Sequence, residues 1–446
     1  MLDRARFDGR RGDVSWHKNV SSIAATGFGL TALCIGARHR WVSPVLSRRA
    51  LRFFAYHAQQ EHGWFYPFLD VKTGKRRWKE ISSIDTALLL AGILTARQAF
   101  PDDPEIVRLA NLIYDRVDFT WMLDGNRLFL SHGWKPETGF LPYRWGTYSE
   151  AGILYILAIG SLTHPISPDA WFGWKLPIVH SAGYTYIGGG PLFIQQYSQA
   201  WLDLRNRSYI QVPMDDRVVP RINVFENAIV ATRAQQALGI DLSQRYRGYS
   251  SKVWGITASD SAKGYVAWGG SPDDSRIDGA VVPSASAGSA MLAPDICIPA
   301  LRAMLLKFGK KIYGRYGFAD AFNPTTGWVS RYVIGIDVGI TLLSAEDLRT
   351  GNVWRWFMNN TEVERALDMI GLVPRSPADG KQTSGEIAEA REGTSGLNAG
   401  KRLADEDPGP NIQIGAKHRI PASAFKFKIP IPPQNTKEIK SSDHPN

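Results

Sequence analysis

The sequence predicts an all-α fold, an (α/α)6-type barrel of helical hairpins, on three observations. Apolar residues recur at helical spacing through about ten to twelve segments, strand signal is scarce, and short turns alternate with long glycine- and aromatic-rich connections. In a ring of hairpins that alternation puts the short turns on one rim and the site-forming loops on the other.

The elements follow in order. Residues 21–39 (SSIAATGFGLTALCIGARH) and 44–61 form the first pair, the second carrying Leu46, Leu51, Phe54 and Ala58 at helical spacing. Residues 82–100, opened by Ser82 or Ser83 and closed before Pro101, pair with 103–117. Helical segments then follow at 148–161, 191–204, 222–238, 294–308, 337–350 and 361–372. The long loops are 63–78, 124–148, 183–190, 249–278 and 313–336. Beyond Leu372 the composition turns to Pro, Gly, Ser, Lys and Glu with few apolar residues, too little to bury, so 1–372 is expected to be the folded domain and 373–446 a disordered tail.

Composition excludes several classes. The 446 residues are 44% hydrophobic and 21% charged, a globular balance with room for a large core. No uncharged apolar run reaches the length a membrane span needs, and MLDRARFDGRRGDVSWHKN lacks the apolar core of a secretion signal. The net charge of +10 is scattered and gathers at the ends without a nucleic-acid motif, so it reads as solvated surface. Cys34 and Cys297 lie in separate apolar segments, without metal-ligand spacing, and read as buried thiols. Neither a metal nor another cofactor is implied. The Gly188–Gly190 run lacks the Lys-Ser/Thr ending and preceding strand of a phosphate loop and reads as a bend before a helix starting near Pro191.

The chemistry concentrates in SHGWKPETGFLPYRWGTYSEAGILYILAIGSLTHPI, residues 131–166, where Glu150 stands at the head of an apolar helix behind an aromatic loop. Aromatic faces stack on the apolar faces of pyranose rings, and a carboxyl half-buried among them moves toward the pKa of a general acid. The plainer reading makes Glu150 a helix-dipole residue, with Thr147 or Ser149 as cap. Loop aromatics Trp134, Trp145 and Tyr148 suit sugar subsites, as do Trp254 and Tyr265 beside Asp260. His132 suits a sugar hydroxyl or a structural role.

Glycoside cleavage needs an acid and a second carboxylate. Asp85, on the helix after the 63–78 loop, is the first choice for the second carboxylate, with helix capping as its alternative, and Glu80 stands close behind. Asp260, Asp278 and Asp337 sit at mouths of glycine-rich loops, where an Asx turn, a turn pair and a helix cap are their respective alternatives. Glu346 and Arg349, at i and i+3, read as an ion pair.

Eight segments in order, SSIAATGFGLTALCIGA, EHGWFY, SSIDTALLLAGIL, SHGWKPETGFLPYRW, YIGGGPLF, VWGITASDSAKGYVAWGG, YGFADAFNPTTGW and GIDVGITLLSAEDLRTGNVW, resemble the bacterial glycoamylase-like family across about residues 3–372. The resemblance implies an (α/α)6 barrel, glycoside hydrolase chemistry on an oligo- or polysaccharide, and β-1,2-glucan before starch, with endo action first. Glu150 matches the family's YxE position and is the implied general acid. It further implies that Gln195 and Gln199, either side of Tyr197, replace histidines of an HQYSH stretch, that Gly146 replaces an Asp, and that the family's aromatic first helix does not precede MLDRAR. Relatives act mostly outside the cytoplasm. A non-catalytic glycan-binding protein, or a transferring or phosphorolytic enzyme on the same barrel, are the alternatives the resemblance leaves open.

Overall fold

The computed structural model describes residues 1–10, 19–207, 223–269 and 274–374, all of which fall in one compact unit. The tail expected at 373–446 lies, beyond Pro374, outside the described residues. Twelve α-helices are present among the described residues: α1 Ile23–Arg38, α2 Val45–Tyr56, α3 Ser83–Ala99, α4 Pro104–Asp115, α5 Gly152–Gly160, α6 Asp169–Phe172, α7 Val224–Leu242, α8 Pro283–Gly288, α9 Pro294–Phe308, α10 Gly335–Thr350, α11 Asn352–Met358 and α12 Thr361–Met369.

Two kinds of helix are visible in the burial pattern. Every residue of α5 and most of α1 and α3 are buried, consistent with sequences that are apolar or small on all sides. By contrast α2, α4 and α12 bury a single stripe, such as Leu51 and Phe54 in α2 and Ile106, Leu109 and Ile113 in α4. The enclosed helices pack in series, α5 on α3, α3 on α1, α1 on α10 and α10 on α8, while α4 backs α2 and α3, and α12 backs α5. Glycine makes the tightest crossing possible. A Cβ on Gly27 would lie 2.0 Å from the Leu88 carbonyl oxygen, and one on Gly92 would lie 2.0 Å from that of Gly27, so α1 and α3 cross backbone to backbone.

Short antiparallel ladders stitch the heads of these helices together. Val20–Ser22, which runs into α1, pairs with Phe68–Asp70; Ile81–Ser82, which runs into α3, pairs with Gly133 and Trp134; Tyr332–Ile334, which runs into α10, pairs with Arg4–Arg6. Gly335 N–H then donates to the Asp3 carbonyl at 2.8 Å, so the first described residues lie across the heads of α1 and α10.

Three expectations need correction. The long loops are not irregular: they carry small hairpins, including Ile178–Ser181 with Tyr184–Ile187 and Ser259–Ser261 with Gly264–Val266. Residues 191–204 do not form a helix but two 3₁₀ turns, Leu192–Gln195 and Ser198–Ala200. Glu346 does not pair with Arg349. It is buried, accepting from Thr350 Oγ1 at 2.7 Å and Asn352 Nδ2 at 2.8 Å, with His39 at 3.6 Å. Cys34 and Cys297 are buried free thiols, as expected.

Candidate active site

Glu150 precedes α5, whose N-terminus has no side-chain cap of its own. Thr147 does not take that role and Ser149 Oγ accepts only from Ala151 N–H, ahead of the helix, at 3.3 Å; the distant Ser198 hydroxyl accepts from Ile153 N–H at 2.9 Å and donates to the Glu150 carbonyl at 2.6 Å. This leaves the Glu150 side chain outside the capping network. Burial pushes its carboxyl up to about 7, and nearby Asp85 adds to the rise, since a second negative charge disfavours ionisation.

Asp85 sits in the first turn of α3. Ser82, the N-cap, accepts from Asp85 N–H at 3.2 Å, and its hydroxyl donates in return to the Asp85 carboxylate. The Ser82 hydroxyl thus serves both as N-cap acceptor and as donor to the carboxylate at N3. Burial raises the Asp85 carboxyl above its ordinary range, against the hydrogen bond from Ser82.

A second group of acids lies at the head of α10. Asp337, in its first turn, accepts from Ser284 Oγ of α8 at 3.1 Å and lines the same cavity as Asp320. Burial and the neighbouring carboxyls put Asp320 well above its ordinary value, and burial lifts Asp337 to about 6. Asp320, Asp337 and Ser284 line a cavity of about 160 Å3 with Tyr313, Tyr316 and Phe318. Tyr197 links the two groups. It is buried against Phe28 and Phe193, its hydroxyl bonds to no described residue, and Asp337, Glu150 and Asp320 all oppose its ionisation.

The other expected site residues divide. Trp145 stacks on His132 with centroids 3.8 Å apart and donates from Nε1 to Ser83 Oγ at 2.9 Å, tying the aromatic loop to α3. Burial lowers the His132 pKa. Trp134 is half-buried against Trp121, Tyr148 donates to Gln195 Oε1 at 2.8 Å, and Tyr265 is exposed on the hairpin beside Asp260. Trp254 is a correction: it is fully enclosed in a second core cluster with Tyr249, Trp268 and Cys297, where no sugar reaches it. Asp260 is not a free acid either, since it pairs with Arg4 and accepts from Ser330 Oγ at 2.9 Å. Asp278 is an exposed turn residue accepting from Ala280 N–H at 2.9 Å, and Glu80 pairs with Lys135 at 3.2 Å. Asp320 was not singled out in the sequence, although it lies in YGFADAFNPTTGW.

The positions where the resemblance implies replacements are well fitted. Gln195 Nε2 donates to the Ile187 carbonyl at 2.8 Å, and Gln199 Nε2 to the Gln195 carbonyl at 3.0 Å, so both amides serve the interior. At Gly146 a Cβ would meet the Phe129 ring at 3.2 Å, leaving little room for a larger side chain. Among the described residues no group of three His, Cys, Asp or Glu side chains is placed to hold a metal, and no helix is long and apolar enough to cross a membrane.

Comparison with known proteins gives three findings. Residues 142–361 match the Glycoamylase family, described as putative glucoamylase. The chain is 27% identical over 402 residues to an exo β-1,2-glucooligosaccharide sophorohydrolase (non-reducing end) of Parabacteroides distasonis, covering 81% of this chain but only 54% of the relative, so it spans about half that protein's length. Among solved structures it resembles a glucoamylase-family protein of Bacteroides caccae (TM-score 0.75, 26% identity, covering 84% of this chain and 93% of that one). It also resembles the endo-β-1,2-glucanase of Chitinophaga pinensis in complex with sophorotriose and glucose (TM-score 0.73, 27% identity, 84% and 92% covered).

Proposed function

We propose that the protein, whose residues 142–361 match the Glycoamylase family, is a glycosidase that hydrolyses β-1,2-linked glucan. The observation that carries the reading is Glu150: a carboxyl held by burial near pKa 7, at the head of an enclosed helix, is suited to protonate a leaving glycosidic oxygen near neutral pH. The names of the relatives supply the linkage. The endo-glucanase is covered almost end to end, whereas the exo-acting relative is covered over about half, which favours endo action.

Neighbouring elements pack in pairs, α1 on α2, α3 on α4, the Leu192–Gln195 turn on α7, α8 on α9 and α10 on α11, while α5 packs on α12, an arrangement of hairpins that supports the (α/α)6 reading.

Glu150 serves as general acid. The second carboxylate is Asp337, whose charge is not consumed by a helix cap, and Asp85 keeps the Glu150 proton in place through its own negative charge. Substrate hydroxyls meet Tyr197, and the Trp145–His132 stack and Trp134 form the aromatic platform. No metal is assigned a role.

The test is release of reducing sugar from linear β-1,2-, β-1,3-, β-1,4- and α-1,4-glucans with product sizing. Cleavage of the β-1,2 polymer into mixed oligosaccharides, lost by about 10²- to 10⁴-fold in Glu150→Gln with glycan still bound, is expected. A Glu150→Gln variant cutting at the wild-type rate defeats the assignment, and disaccharide as sole product replaces endo by exo action. Glycan binding without cleavage by the wild type makes the protein a binding module.

A further inference from the structure

The unusual feature of the acids at the head of α10 is that two buried carboxyls line one cavity and each leaves an oxygen without a donor among the described residues. Asp320 and Asp337 are 4% and 5% exposed. Each has one oxygen satisfied by an ordinary donor: Asp320 Oδ2 accepts from Asp260 N–H at 2.6 Å, and Asp337 Oδ1 accepts from Ser284 Oγ at 3.1 Å. The other two oxygens, Asp320 Oδ1 and Asp337 Oδ2, are buried and receive no donor from elsewhere in the described residues. Both side chains line the same cavity of about 160 Å3. Two ionised carboxylates are acceptors only, so these two oxygens can satisfy each other only if one of them carries a proton.

The surrounding charges favour keeping that proton. Arg4, on the strand that pairs with Tyr332–Ile334, is the cation acting on the pair, and it is bound to Asp260 and Asp3. Asp260, Tyr265 on its hairpin and Tyr197 also face the pair, and the Arg4 guanidinium that acts on it is already engaged by Asp260 and Asp3. Like-charged carboxyls in one buried site cannot all ionise.

We propose that Asp320 and Asp337 share a single proton, and that protonated Asp320 is the positioning residue that orients the Asp337 carboxylate for its part in hydrolysis. The proton resides mainly on Asp320, whose neutral carboxyl donates to Asp337 Oδ2 while its other oxygen keeps the Asp260 amide. The Asp337 carboxylate thereby has both oxygens bonded and one rotamer fixed, facing the cavity lined by Tyr313 and Tyr316. The catalytic half of this inference rests on the glycosidase reading above; the shared proton does not.

The pair of variants Asp320→Asn and Asp320→Ala separates this from a merely structural role. Asparagine mimics the protonated acid, since its oxygen can accept from the Asp260 amide and its NH2 can donate to Asp337. On a β-1,2-glucooligosaccharide, Asp320→Asn keeps kcat within about threefold of wild type, whereas Asp320→Ala loses roughly tenfold or more in kcat with little change in KM. Equal losses in both variants, or no loss in either, overturn the positioning role. Infrared spectroscopy tests the proton without catalysis. At neutral pH the wild type shows a carboxylic acid carbonyl band that Asp320→Asn lacks, and a spectrum unchanged by Asp320→Asn overturns the shared proton even in a well-folded variant. If the wild type cleaves no β-1,2-glucan, the functional reading fails and the infrared band alone decides whether the proton is shared.

Discussion

The heads of α3 and α10 look alike in sequence, SSIDTA and VIGIDVG, and each places an aspartate in the first turn of an enclosed helix. Their surroundings separate them. Asp85 has a serine three residues upstream that caps the helix and bonds its carboxylate, whereas the equivalent position before Asp337 is Ile334, which has no side-chain cap to offer. The α3 carboxylate is therefore engaged in ending its own helix, and the α10 carboxylate is left to Ser284 and Asp320, which come from other parts of the chain. A helix N-terminus favours negative charge in both cases, but burial outweighs it, and both carboxyls are raised. Under the proposed reading, the same residue at the same helical position is structural in one case and chemical in the other, according to whether a local partner has already claimed it.

The sharpest way to break this contrast is to neutralise both. Asp337→Asn is expected to lower kcat on β-1,2-glucan by about 10²-fold or more, as loss of a second carboxylate should. Asp85→Asn is expected to cost roughly tenfold or less and to move the basic limb of the pH–rate profile downward. With the Asp85 charge gone, Glu150 ionises more readily and is lost as an acid at lower pH. Equal losses from the two variants, measured as kcat over a pH series, would put Asp85 back as the second carboxylate.

What was legible before the structure follows the same line between local and distant partners. Helices with their own caps and stops were read closely: 82–100 against the observed Ser83–Ala99, and 294–308 as observed. Residues 191–204 carry a helical apolar pattern but fold into 3₁₀ turns, because Gln195, Gln196 and Gln199 bond to carbonyls of residues 187, 285 and 224, which no local pattern reveals. Glu150 stood out because an aromatic loop meeting an uninterrupted apolar helix is a local signal. Asp320 did not, since its partners are Asp260 and Asp337, and Arg4, which neutralises Asp260, is 256 residues away from it. Trp254 was misread for the opposite reason: its glycine-rich setting resembles a loop platform, yet tertiary packing encloses it.

The capping role of Ser82 gives a second, smaller test. Ser82→Ala removes the N-cap acceptor and the donor to Asp85, and about 1 kcal/mol of stability is expected to go with it, read as a fall in the denaturation midpoint at unchanged slope. Loss of the hydroxyl donor also leaves Asp85 harder to ionise. Its raised carboxyl already makes the folded state favour the protonated form, so stability falls as pH rises from the ordinary carboxyl range through the folded value, and Ser82→Ala steepens that fall. A variant as stable as wild type from acid to neutral pH would remove the cap from the argument and leave Asp85 free for chemistry.

Ser284 makes the corresponding bond at the α10 head, but it serves no cap, so the expected effect is on titration with little effect on folding. Its hydroxyl stabilises the ionised form of Asp337, against the burial that lifts the carboxyl to about 6. One hydrogen bond is worth about 1 kcal/mol net, so Ser284→Ala should raise the Asp337 pKa by roughly half to one unit. With Asp337 as the proposed working carboxylate, the acidic limb of the pH–rate profile is expected to move upward by that amount, while kcat on the plateau changes little. The sign distinguishes the two aspartates: Asp85→Asn moves the basic limb down, and Ser284→Ala moves the acidic limb up, so together the two variants show which limb each helix head controls. A shift of the acidic limb in Ser82→Ala and none in Ser284→Ala would reverse the assignment.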